Sequence, residues 1–180
     1  MTFTLEDGTA KTDANAFVSV TAFKAYCDLR GVSYSAYSDE QLEQAIVRGT
    51  DYLSEGFSWK GTKVKPRGTT GGEQALAWPR YNATDRNGYT VESDSVPWEV
   101  VRATCEVAIA EMASPGVMQP TYTPSERVKR ERVDKLEVEY HVSNTSPQSA
   151  RPILLRVRDL IGGLLDTTGG SRIVGTAYRG

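Results

Sequence analysis

The sequence has few of the residues from which catalytic and metal-binding sites are usually built. Its 180 residues include one histidine, His141, and two cysteines, Cys27 and Cys105. Two cysteines cannot form a disulfide-rich scaffold or a four-cysteine zinc site, and one histidine gives no helical histidine pair. Cys27 lies on the apolar face of a predicted helix, where a free cysteine is usually part of the core. We therefore expect that the chain is not an enzyme, holds no metal and no cofactor, and is made in a reducing, intracellular compartment.

Long hydrophobic runs are also missing. No segment approaches the roughly 18 apolar residues that a membrane-spanning helix needs. The first residues combine neither a basic start nor an apolar run, so we expect no signal peptide. Hydrophobic residues make up 39% of the chain. This low proportion of hydrophobic residues predicts one compact core with extended segments that contribute little to it.

The charge is small overall but unevenly distributed. The net charge is −2, made up of −4 in residues 1–60, −1 in residues 61–123 and +3 in residues 124–180. An acidic front and a basic rear favour front-to-back self-association or a partner of mixed charge. They do not favour a dedicated duplex-DNA binder, which is usually strongly basic.

Two helices are predicted in the first third of the chain. Ser19 can cap a helix that runs to about Arg30. Ser38 and Gln41 form a capping-box pattern at the start of a second helix. Gly56 is expected to end that helix.

Two further helices are predicted after residues 56–96, a long segment without helical or strand periodicity. Pro97 is suited to the first position of a third helix that continues to about Ala113. This helix is apolar on nearly all sides and is therefore expected to be central in the core. Pro152 opens a fourth helix that runs to about Leu165.

Residues 127–142 alternate between apolar and charged side chains and predict a β-hairpin. A two-residue turn would place Arg130 opposite Glu139 and Arg132 opposite Glu137. Pairs of opposite charge at these cross-strand positions would each stabilise the hairpin modestly.

Together these elements predict a mainly α fold, a small bundle of about four helices. The bundle carries a long irregular loop, a protruding β-hairpin and an extended C-terminal tail. We expect a helical domain at 1–165, which includes the hairpin at about 127–142 and a linker at 143–150, followed by the tail at 166–180.

Aromatic and basic side chains alternate in the long loop. Stacking on aromatic rings combined with backbone charge is how single-stranded nucleic acid is bound. The other interpretation is that the tryptophans pack the loop onto the helices while the lysines stay in solvent; the acidic balance of the chain favours it. The candidate nucleic-acid residues are Trp59, Lys60, Lys63, Lys65, Arg67, Trp78 and Arg80.

A third interpretation of the sequence is that the protein functions by assembling with other protein molecules. The C-terminal tail carries apolar and basic side chains that a small core cannot bury alone. A neighbouring molecule could receive the tail as an added strand. The candidate partner-interface residues of the tail are Arg172, Ile173, Val174, Tyr178 and Arg179.

Several short motifs, in their order and spacing, resemble a family of tailed-phage virion proteins. In chain order they are Asp13-Ala14-Asn15-Ala16-Phe17-Val18-Ser19, Leu76-Ala77-Trp78-Pro79-Arg80, Val96-Pro97-Trp98-Glu99-Val100 and Val128-Lys129-Arg130-Glu131-Arg132-Val133. Members of this family are head–tail adaptors, also called connectors or head completion proteins. Some relatives are labelled DnaT-like single-stranded DNA-binding domains. The resemblance spans about residues 3 to 165.

The resemblance implies a structural virion protein that forms a ring, typically a dodecamer, in the phage neck. Such a ring lies between the portal protein and a stopper or tail-terminator protein, and genomic DNA passes through its lumen without sequence specificity. The protein would be made in the host cytoplasm. We further expect the tail at 171–180 to contact the portal, and the hairpin residues to contact a neighbouring subunit or the tail-side partner; those residues are Arg130, Arg132, Glu137 and Glu139. Single-stranded DNA binding by the 59–86 region is the alternative function.

Overall fold

The computed structural model describes residues 2–119, 130–133, 136–139 and 154–166. Over these residues the protein is mainly helical, as the sequence predicts, with two small antiparallel sheets. The elements in chain order are α1 (Val20–Asp28), α2 (Asp39–Gly56), β1 (Thr62–Lys63), β2 (Arg80–Tyr81), α3 (Trp98–Ala113), β3 (Arg130–Val133), β4 (Leu136–Glu139) and α4 (Leu155–Ile161). No helix in this part of the chain is long and apolar enough to cross a membrane.

Side-chain caps fix where the first two helices begin, and both predicted caps are confirmed. The amide of Ala22 donates to Ser19 Oγ at 3.2 Å. The capping box of α2 is complete, because the amide of Gln41 donates to Ser38 Oγ at 3.3 Å and the amide of Ser38 donates to Gln41 Oε1 at 2.9 Å. Reciprocal bonds of this kind satisfy amides that the first helical turn leaves unpaired.

α3 is the central helix, as its apolar circumference predicts. Its buried side chains contribute to both hydrophobic clusters of the core. Val100, Ala103 and Val107 pack with α4 and the long loop. Cys105 and Ala108 pack with α1 and α2. Pro97 is the N-cap rather than the first helical residue, so the helix begins one residue later than predicted.

α4 is shorter than predicted. It starts at Leu155 and gives way at Gly162–Leu164 to a 3-10 turn. The predicted start at Pro152 lies outside the described residues. Because glycines destabilise an α-helix, the paired Gly162 and Gly163 account for the change of helix type.

The chain after α4 pairs with the segment before β1. Trp59 and Leu165 form an antiparallel bridge. The amide of Lys60 donates to Leu164 O at 2.9 Å, and that of Asp166 donates to Ser58 O at 3.0 Å. The end of the helical domain is thus fixed to the middle of the chain. The linker at 143–150 and the tail beyond residue 166 lie outside the described residues.

The backbone register of the β3–β4 hairpin is the predicted one. Arg130 lies opposite Glu139, and Arg132 lies opposite Glu137. The alternating pattern and the two-residue turn were therefore sufficient to predict the register.

Candidate nucleic-acid interface

The two tryptophans of the long loop are inside the protein. Trp59 is 6% exposed and Trp78 is fully buried. Their rings meet edge to face with centroids 5.7 Å apart, and Phe57 continues the cluster at 6.1 Å from Trp59. A base cannot stack on either indole in this structure. The packing interpretation accounts for these two residues.

Arg80 is bound to the backbone of its own loop. Its guanidinium donates to the carbonyls of Lys60 and Gly61, each at 2.7 Å, and to those of Ala77 at 3.1 Å and Trp59 at 3.3 Å. Burial lowers the pKa of this guanidinium. Because its donors are occupied by protein carbonyls, Arg80 stabilises the loop and has little capacity left for a phosphate.

The three lysines of the candidate set are also engaged within the protein. Each ammonium group donates to two oxygens at 2.7–3.5 Å. The acceptors are Gly163 and Thr84 for Lys60, Glu73 and Gln74 for Lys63, and Thr9 and Ala10 for Lys65. Arg67 differs, since it is exposed and has no hydrogen bond or ion pair within the described ranges.

Gln74 explains why the loop is ordered despite having little regular structure. Its buried side-chain amide donates to Leu76 O and to Pro79 O, each at 3.0 Å. Its carbonyl oxygen accepts the amide of Lys65 at 2.9 Å. The loop is therefore built around side-chain bonds to the backbone, which periodicity does not reveal.

A different tryptophan is available to solvent. Trp98, the first residue of α3, is 56% exposed. The guanidinium carbon of Arg102 lies 4.5 Å from the centroid of its ring. The two residues are one helical turn apart, so the helix places them side by side. The pair combines an accessible aromatic ring with a guanidinium that has no ion pair in the described part of the chain.

The same side of α3 continues to a cluster around Glu106. Glu106 Oε1 accepts Tyr26 Oη at 2.6 Å and Arg156 Nε at 2.8 Å, and Arg30 Nε lies 3.7 Å away. Arg30 also stacks on the Tyr26 ring at 3.4 Å from its centroid. Burial and the hydrogen bond to Glu106 raise the pKa of Tyr26 to about 12. Glu106 thereby joins α1 and α4 to α3.

We call this surface the α3 face and define it by Trp98, Arg102, Glu106, Arg30 and Arg156. Glu99 lies beside it on the same polar stripe of α3, so the surface has three guanidinium groups and two carboxylates. By contrast, residues 2–119 carry 11 basic and 16 acidic side chains, a net charge of −5. The α3 face is thus a locally basic surface, with an exposed aromatic ring, on an acidic body.

The sequence contained a signal for this surface that the prediction did not use. Glu99, Arg102 and Glu106 form the narrow polar stripe of the third helix, and their spacing alone favours pairing among these three residues. Arg102 instead stacks on Trp98, and Glu106 pairs with α1 and α4. An aromatic residue four positions before an arginine at the start of a helix could have indicated the stacked pair.

A protein-family model matches the whole chain. The family is described as "Putative DnaT-like ssDNA binding protein", and its model matches residues 1–180. The chain belongs to this family. No curated protein and no solved structure matches it.

The described residues of this DnaT-like chain hold no cluster of histidine, cysteine and acidic side chains that could bind a metal ion. Cys27 and Cys105 are both buried, as expected for Cys27. Burial raises the pKa of both thiols, that of Cys105 to about 12. Both cysteines are therefore in their unreactive form near neutral pH. His141 lies outside the described residues.

Proposed function

We propose that this chain binds single-stranded DNA without sequence specificity. The observation that carries the proposal is the family match over residues 1–180. The exposed Trp98 and its stacked Arg102 support it, because an aromatic ring beside a cation is the chemistry of single-strand binding. The proposal does not use Trp59 and Trp78, whose rings are buried.

Fluorescence anisotropy of a labelled thymidine oligonucleotide tests this function. We expect micromolar binding that weakens as salt is raised, since displaced counterions make phosphate contacts salt-dependent. A duplex of the same length is the matched control and should bind more weakly. Affinity weaker than about 10⁻⁴ M for the single strand at low salt would contradict the proposal.

A second candidate function is the head–tail adaptor of a tailed phage, supported by two features of the described residues. Nine of the eleven basic residues in 2–119 make hydrogen bonds or ion pairs on an acidic body, which leaves few for DNA; they are Lys11, Lys24, Arg30, Arg48, Lys60, Lys63, Lys65, Arg80 and Arg86. Leu29 and Leu155 are 85% and 75% exposed, as apolar residues at a protein interface can be in the free subunit.

As an adaptor, the chain would form a ring in the virion neck between the portal and a stopper or tail-terminator protein. A ring arises when one heterologous contact repeats until it closes. The hairpin residues Arg130 and Arg132 are candidates for that contact, and the tail from 171 to 180 for the portal contact. DNA would pass through the lumen of the ring.

Electron microscopy of the purified chain mixed with portal protein tests the adaptor function. Rings are expected on the portal, and deletion of residues 171–180 should abolish head–tail joining in extracts. Undiminished joining by the shortened chain would argue against the portal contact. Charge reversal at Arg130 and Arg132 should lower the yield of rings, and an unchanged yield would exclude the hairpin from the subunit contact.

The two functions give different results with the same protein. A structural adaptor should bind free oligonucleotide poorly, whereas a single-strand binder should bind it without portal protein. Replacement of His141 by alanine should leave both activities unchanged, as we propose for a chain without a catalytic site.

A further inference from the structure

We infer that the α3 face is the surface on which single-stranded DNA lies, with a base stacked on the open side of the Trp98 ring and phosphates against the guanidiniums of Arg102 and Arg156. This inference rests on the proposed DNA-binding function and assigns it a site. The site differs from the loop that the sequence indicated.

The accessible aromatic ring is the first element of the site. Of the three tryptophans, Trp98 is 56% exposed, whereas Trp59 is 6% exposed and Trp78 is buried. Arg102 lies against the Trp98 ring and restrains it. A ring already held in place loses less side-chain entropy when a base stacks on it.

The second element is charge complementarity. Arg30 and Arg156 pair with Glu106, and Arg102 adds a third guanidinium beside Trp98, so the α3 face has a surplus of positive charge although residues 2–119 are net acidic. Arg102 makes no ion pair among the described residues. A polyanion is therefore attracted to this face and repelled by much of the remaining body.

The length of the α3 face suits a short stretch of single-stranded DNA. Trp98, Arg102 and Glu106 are successive positions four residues apart, so they extend over about 12 Å along the helix axis. A nucleic-acid strand advances about 3.4 Å per nucleotide when its bases are stacked. The face can thus contact roughly three nucleotides, with the base at Trp98 and the last phosphate near Arg156.

Intrinsic fluorescence provides a direct test, because the tryptophan that solvent reaches is Trp98. Addition of a thymidine oligonucleotide to the full chain should quench the emission of Trp98. The Trp98→Phe variant should lose this response while still containing the two buried tryptophans. A response of the same size in Trp98→Phe would overturn the inference.

Affinity variants supply the second test. Trp98→Ala should weaken oligonucleotide binding by about 5- to 150-fold, the range for loss of one stacked base. Arg102→Ala should weaken it and also lower its salt dependence. Tyr89→Ala is the matched control, because Tyr89 is a 73% exposed aromatic residue on a separate turn, and its loss should leave affinity unchanged. Circular dichroism and thermal unfolding establish that each variant is folded.

The results of these experiments distinguish an error in the proposed site from an error in the proposed DNA-binding function. If the unaltered chain binds the oligonucleotide but Trp98→Ala binds equally well, the site is wrong and the DNA-binding function stands. If the unaltered chain does not bind, the function itself fails. If Trp98→Ala instead prevents ring formation or portal binding, the α3 face is a protein interface and the inference is overturned.

Discussion

The buried carboxylate of Glu111 holds the turn that follows α3. It accepts the amides of Gly116 at 2.6 Å and Met118 at 2.9 Å, and Arg48 Nε at 2.7 Å. Burial by itself would raise the pKa of Glu111, but the two amides and the guanidinium outweigh it and lower that pKa. One side chain thereby connects α2, α3 and the turn.

The Glu111→Gln variant should lower the free energy of unfolding by about 2 kcal/mol, because it leaves donors around a buried site without their charged acceptor. The lowered pKa of Glu111 also determines the direction in which stability changes with pH. The stability due to the ionised carboxylate is present above the ordinary pKa of 4.5 and is lost as pH falls through the lower folded-state value. Urea unfolding at several pH values measures both effects.

Glu92→Gln is the control for that experiment, since Glu92 is exposed. It should change neither the stability near neutral pH nor the acid transition. Equal unfolding curves for Glu111→Gln and Glu92→Gln would show that the Glu111 carboxylate does not hold the turn.

At the scale of elements, the contact between α2 and α3 depends on Gly49. A Cβ at this position would lie 3.1 Å from Thr104 O and 3.3 Å from Ala108 N, both backbone atoms of α3. Such atoms cannot move without moving the helix. The absence of a side chain therefore permits the close approach of the two longest helices.

Gly49→Ala should destabilise the protein by up to about 2 kcal/mol. Alanine favours a helix by roughly 1 kcal/mol over glycine, but overpacking at a tight helix contact costs about 1–3 kcal/mol. Gly162→Ala is the matched control, because nothing lies within 4 Å of a Cβ there. Thermal unfolding of the two variants should give melting temperatures on opposite sides of the unaltered protein, and a stabilised Gly49→Ala would contradict the packing argument.

Local elements were predictable because local residues determine them. The caps at Ser19 and Ser38 and the register at Arg130 and Glu139 involve partners a few residues apart. Hydrogen bonds between residues far apart in the sequence were not predicted. The acceptor of Lys60 at Gly163 is 103 residues away, and nothing in the spacing of the loop lysines indicates such a contact. The sequence therefore contains no sign that the loop lysines are bound to protein oxygens.

At the scale of the whole molecule, the core of the helical domain is completed by the residues that follow α4. Leu164 is fully buried in the cluster that contains Trp59 and Trp78. The strand-like pairing of Ser58 and Lys60 with residues 164–166 adds backbone hydrogen bonds. The middle and the end of the described chain are thus parts of one core.

Truncation after Ile161 should therefore destabilise the protein by about 2–5 kcal/mol, the cost of removing one large core side chain. Truncation after Asp166 keeps all of these contacts and is the matched control. Chemical unfolding of both forms measures the difference. Equal stability of the two truncated chains would show that the pairing with the long loop contributes nothing.

The engagement of the loop cations with protein oxygens has a consequence for trypsin. The protease must draw the basic side chain and its flanking backbone into an extended conformation, so a residue held by internal bonds is a poor substrate. Within residues 56–96, the first cut should fall after Arg67, which is exposed and followed by Gly68. Cleavage after Lys60, Lys63, Arg80 or Arg86 should wait for unfolding, because each of these side chains donates to a protein oxygen. Peptide mapping over time therefore shows whether these internal bonds hold the loop.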